Sequence, residues 1–198
     1  MKGTLPYFPK ISFFLQAAQS GSIQIQPDIL YNKRLQLNRT VIPGSNGLIN
    51  LSIPILGGRN IKESQGEIMI DNRYHWQRDH FRTIATVYGR SPFYIFYEEE
   101  LKDLYEKKAE KLMEWNLTCL HWIIKKLKCS EKMIVRQMLE EDMVQSSGTD
   151  SVKAPTSEIQ KYPQVFQTEI GFQSDVSILD ILFNLDTHNG LKIIGLAP

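Results

Sequence analysis

"LYNKRLQLNRTVIPGSNGLINLSIPI", from Leu30 to Ile55, is the stretch that decides the fold. "TVI" and "LINLSIPI" are apolar runs rich in β-branched residues. "PGSNG" between them supplies the fixed φ of Pro43 and the positive φ that Gly and Asn tolerate. The economical reading is an antiparallel hairpin. The hairpin is approached through three cations, Lys33, Arg34 and Arg39. From Ile29 to Lys62 the chain carries five cations and no Asp or Glu, so this part of the fold holds a positive field with no local partner. A guanidinium offers a planar donor fork and an ammonium a mobile point charge, so Lys33 and Arg39 beside a sheet edge suit a phosphate or a carboxylate. The plainer alternative is a solvated loop.

Working outward, Ile11, Phe14, Leu15 and Ala18 recur at helical spacing before Gly21, which predicts a short helix. "SIQIQ" alternates as a half-buried strand does, and a third strand near Glu67 to Ile70 extends the sheet. In "HWQRDHFRTIATVYG" the residues Trp76, His80, Ile84 and Val87 or Tyr88 share one helical face. His75, Arg78, Asp79 and Arg82 share the other, and Gly89 stands at the C′ position. From Glu98 onward an acid-rich first turn opens an apolar stripe through Leu101, Leu104 or Tyr105, Leu112, Asn116, Leu120, Ile123 and Leu127. This predicts one long helix bent near Asn116, with Glu98–Lys102 and Asp103–Lys107 spaced for ion pairs. The Ser, Thr, Gly and Pro residues around 145–160 predict a mobile loop. Ser177 to Leu185 then forms a short amphipathic helix ending near Asn189-Gly190. The expected architecture is a single mixed α/β (α+β) domain over residues 1–198. In it, a small mixed or antiparallel sheet with an N-terminal hairpin is packed by several helices, one of them long.

Composition sets the outer limits. With 198 residues, 42% hydrophobic and 23% charged, the chain fits one ordinary globular domain. A net charge of +1 recommends neither nucleic acid nor an acidic membrane as partner. Two cysteines are no disulfide framework. Pro6, Pro9 and Lys10 interrupt any signal-peptide core, and no apolar run reaches the roughly 18 residues of a membrane span, so a cytoplasmic location without membrane insertion is expected.

Candidate chemistry is sparse, and the bland reading accompanies each residue. His75 and His80 stand about 140° apart on their helix, at about 100° per residue, and cannot comfortably share a metal; no metal site is expected. His80, on the apolar face, reads as a core histidine. His75 with Asp79 four residues on reads either as a base held by a carboxylate or as an exposed pair. Asp28 and Asp180 are possible general bases that equally suit a turn or a helix end. Cys119 sits in an apolar part of the long helix and reads as inert core.

The segments "PYFPKISFF", "YNKRLQLNR", "LSIPI", "NRYHWQRDHFRTIATVYGRSPFYIFYEEEL", "YPQVF" and "SILDILFNL", in this order, resemble the WbqC-like proteins of bacteria over nearly the whole chain. Many relatives begin the first motif with a His-Gln-Pro-like stretch where this chain has "GTLPYFP"; if that histidine is catalytic in them, the resemblance implies that this member either binds without reacting or uses His80 instead. The resemblance implies a part in surface-polysaccharide (O-antigen) biosynthesis and an acyl or glycine transferase activity. The non-enzymatic alternative is a binding or assembly factor whose basic patch docks a partner. The matching polar residues are Tyr7, Lys33, Asn38, Arg39, Trp76, His80, Tyr88, Asp180 and Asn184. As an enzyme the chain would use His80 and Asp180 catalytically and the others for binding. The implied guest is a sugar nucleotide or another anionic small molecule.

Overall fold

The computed structural model describes residues 1–58, 61–137 and 159–196. The loop expected around 145–160 lies almost wholly outside them. The fold is mixed α/β, with two small sheets among the described residues. In the first, β1 (Lys2–Gly3), β2 (Ser22–Ile25) and β5 (Ile134–Gln137) run parallel in the order β1-β2-β5. The crossover from β1 to β2 is helix α1 (Ile11–Ser20), which buries Ile11, Phe13, Phe14 and Ala17. It ends at Gly21 with φ +67°, the left-handed geometry that glycine adopts without steric cost.

The second sheet is the hairpin of β3 (Arg39–Gly44) and β4 (Gly47–Ser52), in register from Arg39↔Ser52 to Gly44↔Gly47. Its period is two: Thr40 and Leu51 face each other inward, whereas Arg39 and Ser52 face each other on the exposed side. The turn closes at Gly47, whose φ is +124°, and a Cβ on Gly44 would sit 2.5 Å from Ile49 Cδ1. The third strand is reduced to isolated bridges, Ile55↔Ile70 and Met69↔Lys111, that carry the edge of β4 onward.

Helix α2 (Trp76–Tyr88) presents the expected faces: Trp76, His80, Ile84, Val87 and Tyr88 are buried, and His75, Arg78, Asp79 and Arg82 are exposed. Gly89 departs from expectation, since its φ is −58°. Its missing side chain matters for another reason, because a Cβ would stand 2.7 Å from the Ala85 carbonyl.

The long helix is divided into α3 (Glu98–Glu106) and α4 (Leu112–Lys126). The division falls at Lys107, in extended conformation, and not at Asn116. There the backbone leaves the helix to bond the 68–70 segment: Ile70 N–H donates to Glu110 O and Leu112 N–H to Ile68 O, at 2.8 and 2.9 Å. Asn116 is instead a buried staple from α4, its amide donating to Leu5 O and Leu37 O at 2.9 Å each. The expected Glu98–Lys102 and Asp103–Lys107 pairs are replaced by Lys102–Glu106 and by Lys126–Glu100, which ties α4 to α3.

The C-terminal part has α5 (Gln167–Ile170), α6 (Ile178–Asn184) and α7 (Thr187–Ile193). The helix expected to run to Asn189-Gly190 stops at Asn184, and Asp186 caps a new one by accepting from Asn189 N–H at 3.0 Å. Gly190 is buried 3.1 Å, at its hypothetical Cβ, from Ile181 Cγ2, so it permits α7 to approach α6 rather than ending a helix. Ser177, just before α6, is fully buried and donates to Phe8 O, while its N–H donates to Val41 O. These bonds lock α6 against the first motif and β3, and one continuous core reaches from Leu5 to Leu196.

Candidate functional site

Two buried polar clusters gather most of the residues singled out from the sequence. The first is built on His80, which α2 turns inward toward the exposed end of the hairpin. Its Nδ1 lies 3.2 Å from the Tyr7 hydroxyl, and that hydroxyl is also hydrogen-bonded to the Tyr105 hydroxyl of α3. Trp76 stands edge-on to the imidazole at 5.5 Å, and its indole N–H donates to Asn72 Oδ1. Burial lowers the His80 pKa to about 4, against which the backbone of Ser52 favours the proton. The ring is therefore neutral near pH 7. Burial raises both phenols well above their ordinary value, so they stay protonated. A phenol both donates and accepts, so reorienting two hydroxyl protons lets Nδ1 act as acceptor or as donor without ionising either tyrosine. When Nδ1 donates to Tyr7, the other ring nitrogen is left with a lone pair.

Three clefts surround this chain. His80 borders one of about 300 Å³ with Ser52, Pro54, Tyr74, Trp76 and Asp79. Tyr7 borders a second, of about 240 Å³, together with Lys10, Gln36 and Arg39. Tyr105 borders the third, between α2 and α3. The first two share no lining residue, but Arg39 of the second and Ser52 of the first are directly opposite in the ladder, at the hairpin end. Asn38 holds that end together: its carbonyl accepts from Ile53 N–H at 2.8 Å and its amide donates to Ile53 O at 2.7 Å. Its role in the structure is thus to clamp the two strands.

The Arg39 cleft has unusual backbone. Phe8 and Gln36, both on its wall, have φ of +35° and +51°, conformations that non-glycine residues adopt at a cost of order 1 kcal/mol or more. Arg39 is exposed, and among the described residues no carboxylate lies within ion-pair distance of it. Tyr31 lies close enough to feel its charge. Lys33, expected as its companion, is exposed in a 3-10 turn (Lys33–Leu35) and does not line this cleft. Lys10 takes that place, with Asp175 at 3.8 Å.

The second cluster is centred on Asp180 of α6, which has no accessible surface. Its carboxyl accepts from Tyr88 at 3.0 Å, Tyr162 at 2.7 Å, Gln164 at 2.7 Å and Asn184 at 3.2 Å. Burial raises its pKa, and the four donors oppose that rise. Asp180, Tyr88 and Asn184 are thus brought together with one another, away from His80. The arrangement encloses the carboxyl among the described residues. His75 and Asp79 make no side-chain pair; Asp79 bonds Arg78 instead at 3.2 Å. Cys119 is fully buried, and burial pushes its thiol well up, as expected of inert core.

Sequence reasoning missed Tyr105, Ser52, Tyr162 and Gln164. The first was visible only as an alternative to Leu104 on an apolar face; Ser52 lies in "LSIPI" and Tyr162 and Gln164 in "YPQVF", two of the resembling segments, but nothing local singles them out there, because their partners are distant in sequence. Among the described residues no group of acids, cysteines or histidines is arranged to hold a metal ion, and no helix is long and apolar enough to cross a membrane.

The fold and this site define a mixed α/β protein with a buried histidine beside a cationic cleft. The chain matches the model of the WbqC-like protein family over residues 6–151 and belongs to that family. The match covers Tyr7, Asn38, Arg39, Trp76, His80 and Tyr105, and stops short of "YPQVF" and "SILDILFNL" and so of Asp180. No curated protein and no solved structure matches the chain.

Proposed function

We propose that this protein is a cytoplasmic transferase of bacterial surface-polysaccharide (O-antigen) biosynthesis, moving an acyl group, glycyl among the candidates, onto a sugar or sugar nucleotide. The observation that carries this reading is the adjacency of a neutral His80, held by Tyr7, to a cationic cleft whose Arg39 has no acidic partner among the described residues. Arg39, with Lys10, holds the anionic group of the acyl donor. The acceptor hydroxyl or amine lies in the His80 cleft. As its oxygen or nitrogen bonds to the acyl carbon, its proton passes to the neutral imidazole of His80. The bond to the leaving group then breaks, and the same proton leaves with that group. Tyr7 fixes the ring by accepting from Nδ1, and Trp76 walls the ring.

The test is to incubate the full chain with sugar nucleotides and acyl or aminoacyl donors, following melting temperature and the mass of the sugar product. A ligand at 100 times its dissociation constant stabilises by about 2.7 kcal/mol. Arg39→Ala is expected to remove the donor's stabilisation, and His80→Gln to retain stabilisation while losing product. Product formation undiminished in His80→Gln would sink the mechanism. A second reading, a non-enzymatic assembly factor, has in its favour the side-by-side exposure of Ile95 and Phe96, each 70% accessible. A protein partner captured with no small-ligand response supports that reading.

A further inference from the structure

The third cleft, between α2 and α3, has about 490 Å³ and a composition unlike the other two. Its apolar wall is aromatic: Phe81 and Tyr105 have centroids 6.2 Å apart, and Tyr74 stands at the border, 62% exposed. Gln77 has a fixed orientation, because both amide hydrogens are used, on Tyr105 O at 2.8 Å and Lys107 O at 2.7 Å. Its Oε1 makes no hydrogen bond among the described residues and is left as an acceptor. Arg78, Lys102, Lys108 and His75 line the cleft against one carboxylate, Glu106. Each of the three longer cations has an ion pair, Arg78 with Asp79 at 3.2 Å, Lys102 with Glu106 at 4.0 Å and Lys108 with Glu110, and all three pairs are solvent-exposed and hold the cations weakly.

An aromatic wall, its Phe81 and Tyr105 rings inclined at 58° to each other, with one fixed acceptor and several rim cations, matches a planar heterocycle bearing N–H groups and joined to a polyanion. A bare phosphate would leave the aromatic wall unused, and an uncharged aromatic would leave the cations unused. We propose that this cleft binds a nucleoside diphosphate. The base lies against Tyr74, Phe81 and Tyr105 and donates to Gln77 Oε1, and the phosphates rest on Arg78, Lys102 and Lys108. Tyr74 borders the His80 cleft as well. A sugar carried on the diphosphate therefore reaches His80 by crossing Tyr74. This last step rests on the transferase reading above, whereas the binding itself does not.

The experiment is calorimetric titration of the full chain with uridine diphosphate and adenosine diphosphate, with uridine and inorganic pyrophosphate as the separated halves. At least one nucleotide is expected to bind at least tenfold more tightly than either half. The double variant Tyr74→Ala/Lys102→Ala, whose side chains are both exposed, is expected to weaken it at least tenfold while the melting temperature holds. Failure of both nucleotides to bind, pyrophosphate binding as tightly as the nucleotides, or an unweakened double variant would each overturn the inference. Arg39→Ala separates the two proposals. Nucleotide binding lost there but kept in the double variant moves the nucleotide to the Arg39 cleft. Binding kept in Arg39→Ala, with no acyl donor detectable, upholds this site and removes the transferase reading.

Discussion

The His80 and Asp180 clusters are built from the same parts, a buried titratable group with two tyrosines, yet they have opposite relations to solvent. His80 meets Tyr7 on one side and borders a cleft on the other, whereas Asp180 is closed in by four donors. The donors come from the Tyr88 end of α2, from the segment after residue 159 and from α6 itself, so Asp180 joins three parts of the chain. A fully satisfied polar network in a low-dielectric interior rigidifies and specifies a packing. A partly satisfied one beside a cleft is what a reacting group requires. Burial acts on the two with opposite sign: it disfavours the imidazolium of His80 and the carboxylate of Asp180.

This comparison breaks most easily at Asp180. Asp180→Ala strands four buried donors and is expected to cost about 3–5 kcal/mol, read as the shift of the urea midpoint. A loss below about 1 kcal/mol would mean that the network does not hold α6 in place. The raised Asp180 pKa gives native stability that is full below the ordinary value of 3.8 and is lost as pH rises through the folded value. Asp180→Asn is therefore expected to remove that loss on the alkaline side.

His80 gives the reverse slope. With a folded pKa of about 4 against 6.5 unfolded, its contribution is present above pH 6.5. Falling pH protonates the unfolded chain first, so about 3 kcal/mol is lost between those two values. The difference between wild type and His80→Gln, measured by denaturation at several pH values, isolates this term. Equal slopes would show that His80 is solvated in the native state.

Tyr7→Phe keeps the ring and removes the hydroxyl between Tyr105 and His80, for about 1 kcal/mol. Nitrogen NMR of the imidazole sharpens the result, since the variant is expected to shift the Nδ1 signal while that of His75 stays. An unmoved His80 Nδ1 would remove Tyr7 from its positioning role.

The smallest effect belongs to Arg39→Ala, within about 0.5 kcal/mol by thermal melting without ligand. Unfolding of this variant would make Arg39 part of a buried pair and would end the anion-binding reading.

Legibility followed the range of the forces involved. The hairpin, the stop at Gly21 and the two faces of α2 were readable because turn chemistry and periodicity act within a few residues. The division between α3 and α4 was not. "EKKAEK", Glu106 to Lys111, contains no Gly or Pro and has strong helix formers, yet the backbone leaves the helix there to bond Ile68 and Ile70. Gly89 and Gly190 were visible as glycines, but the reasons for them are contacts with Ala85 and Ile181. In the candidate site, His80 and Arg39 stood out by type and by charge pattern, and Tyr105 and Ser52 did not.

The sequence by itself determined the family, the hairpin, the inward face that carries Trp76 and His80, and an acid-free cationic approach to β3. Tertiary structure alone decided that Lys10 rather than Lys33 shares a cleft with Arg39, that Tyr7 and Tyr105 form one hydrogen-bonded chain with His80, and that Asp180 is enclosed. The physical reason is separation along the chain. Tyr7 lies 73 residues from His80 and 98 from Tyr105, and no periodicity or propensity spans such distances. Only the shared core, in which each buried polar group must find a partner, brings them together.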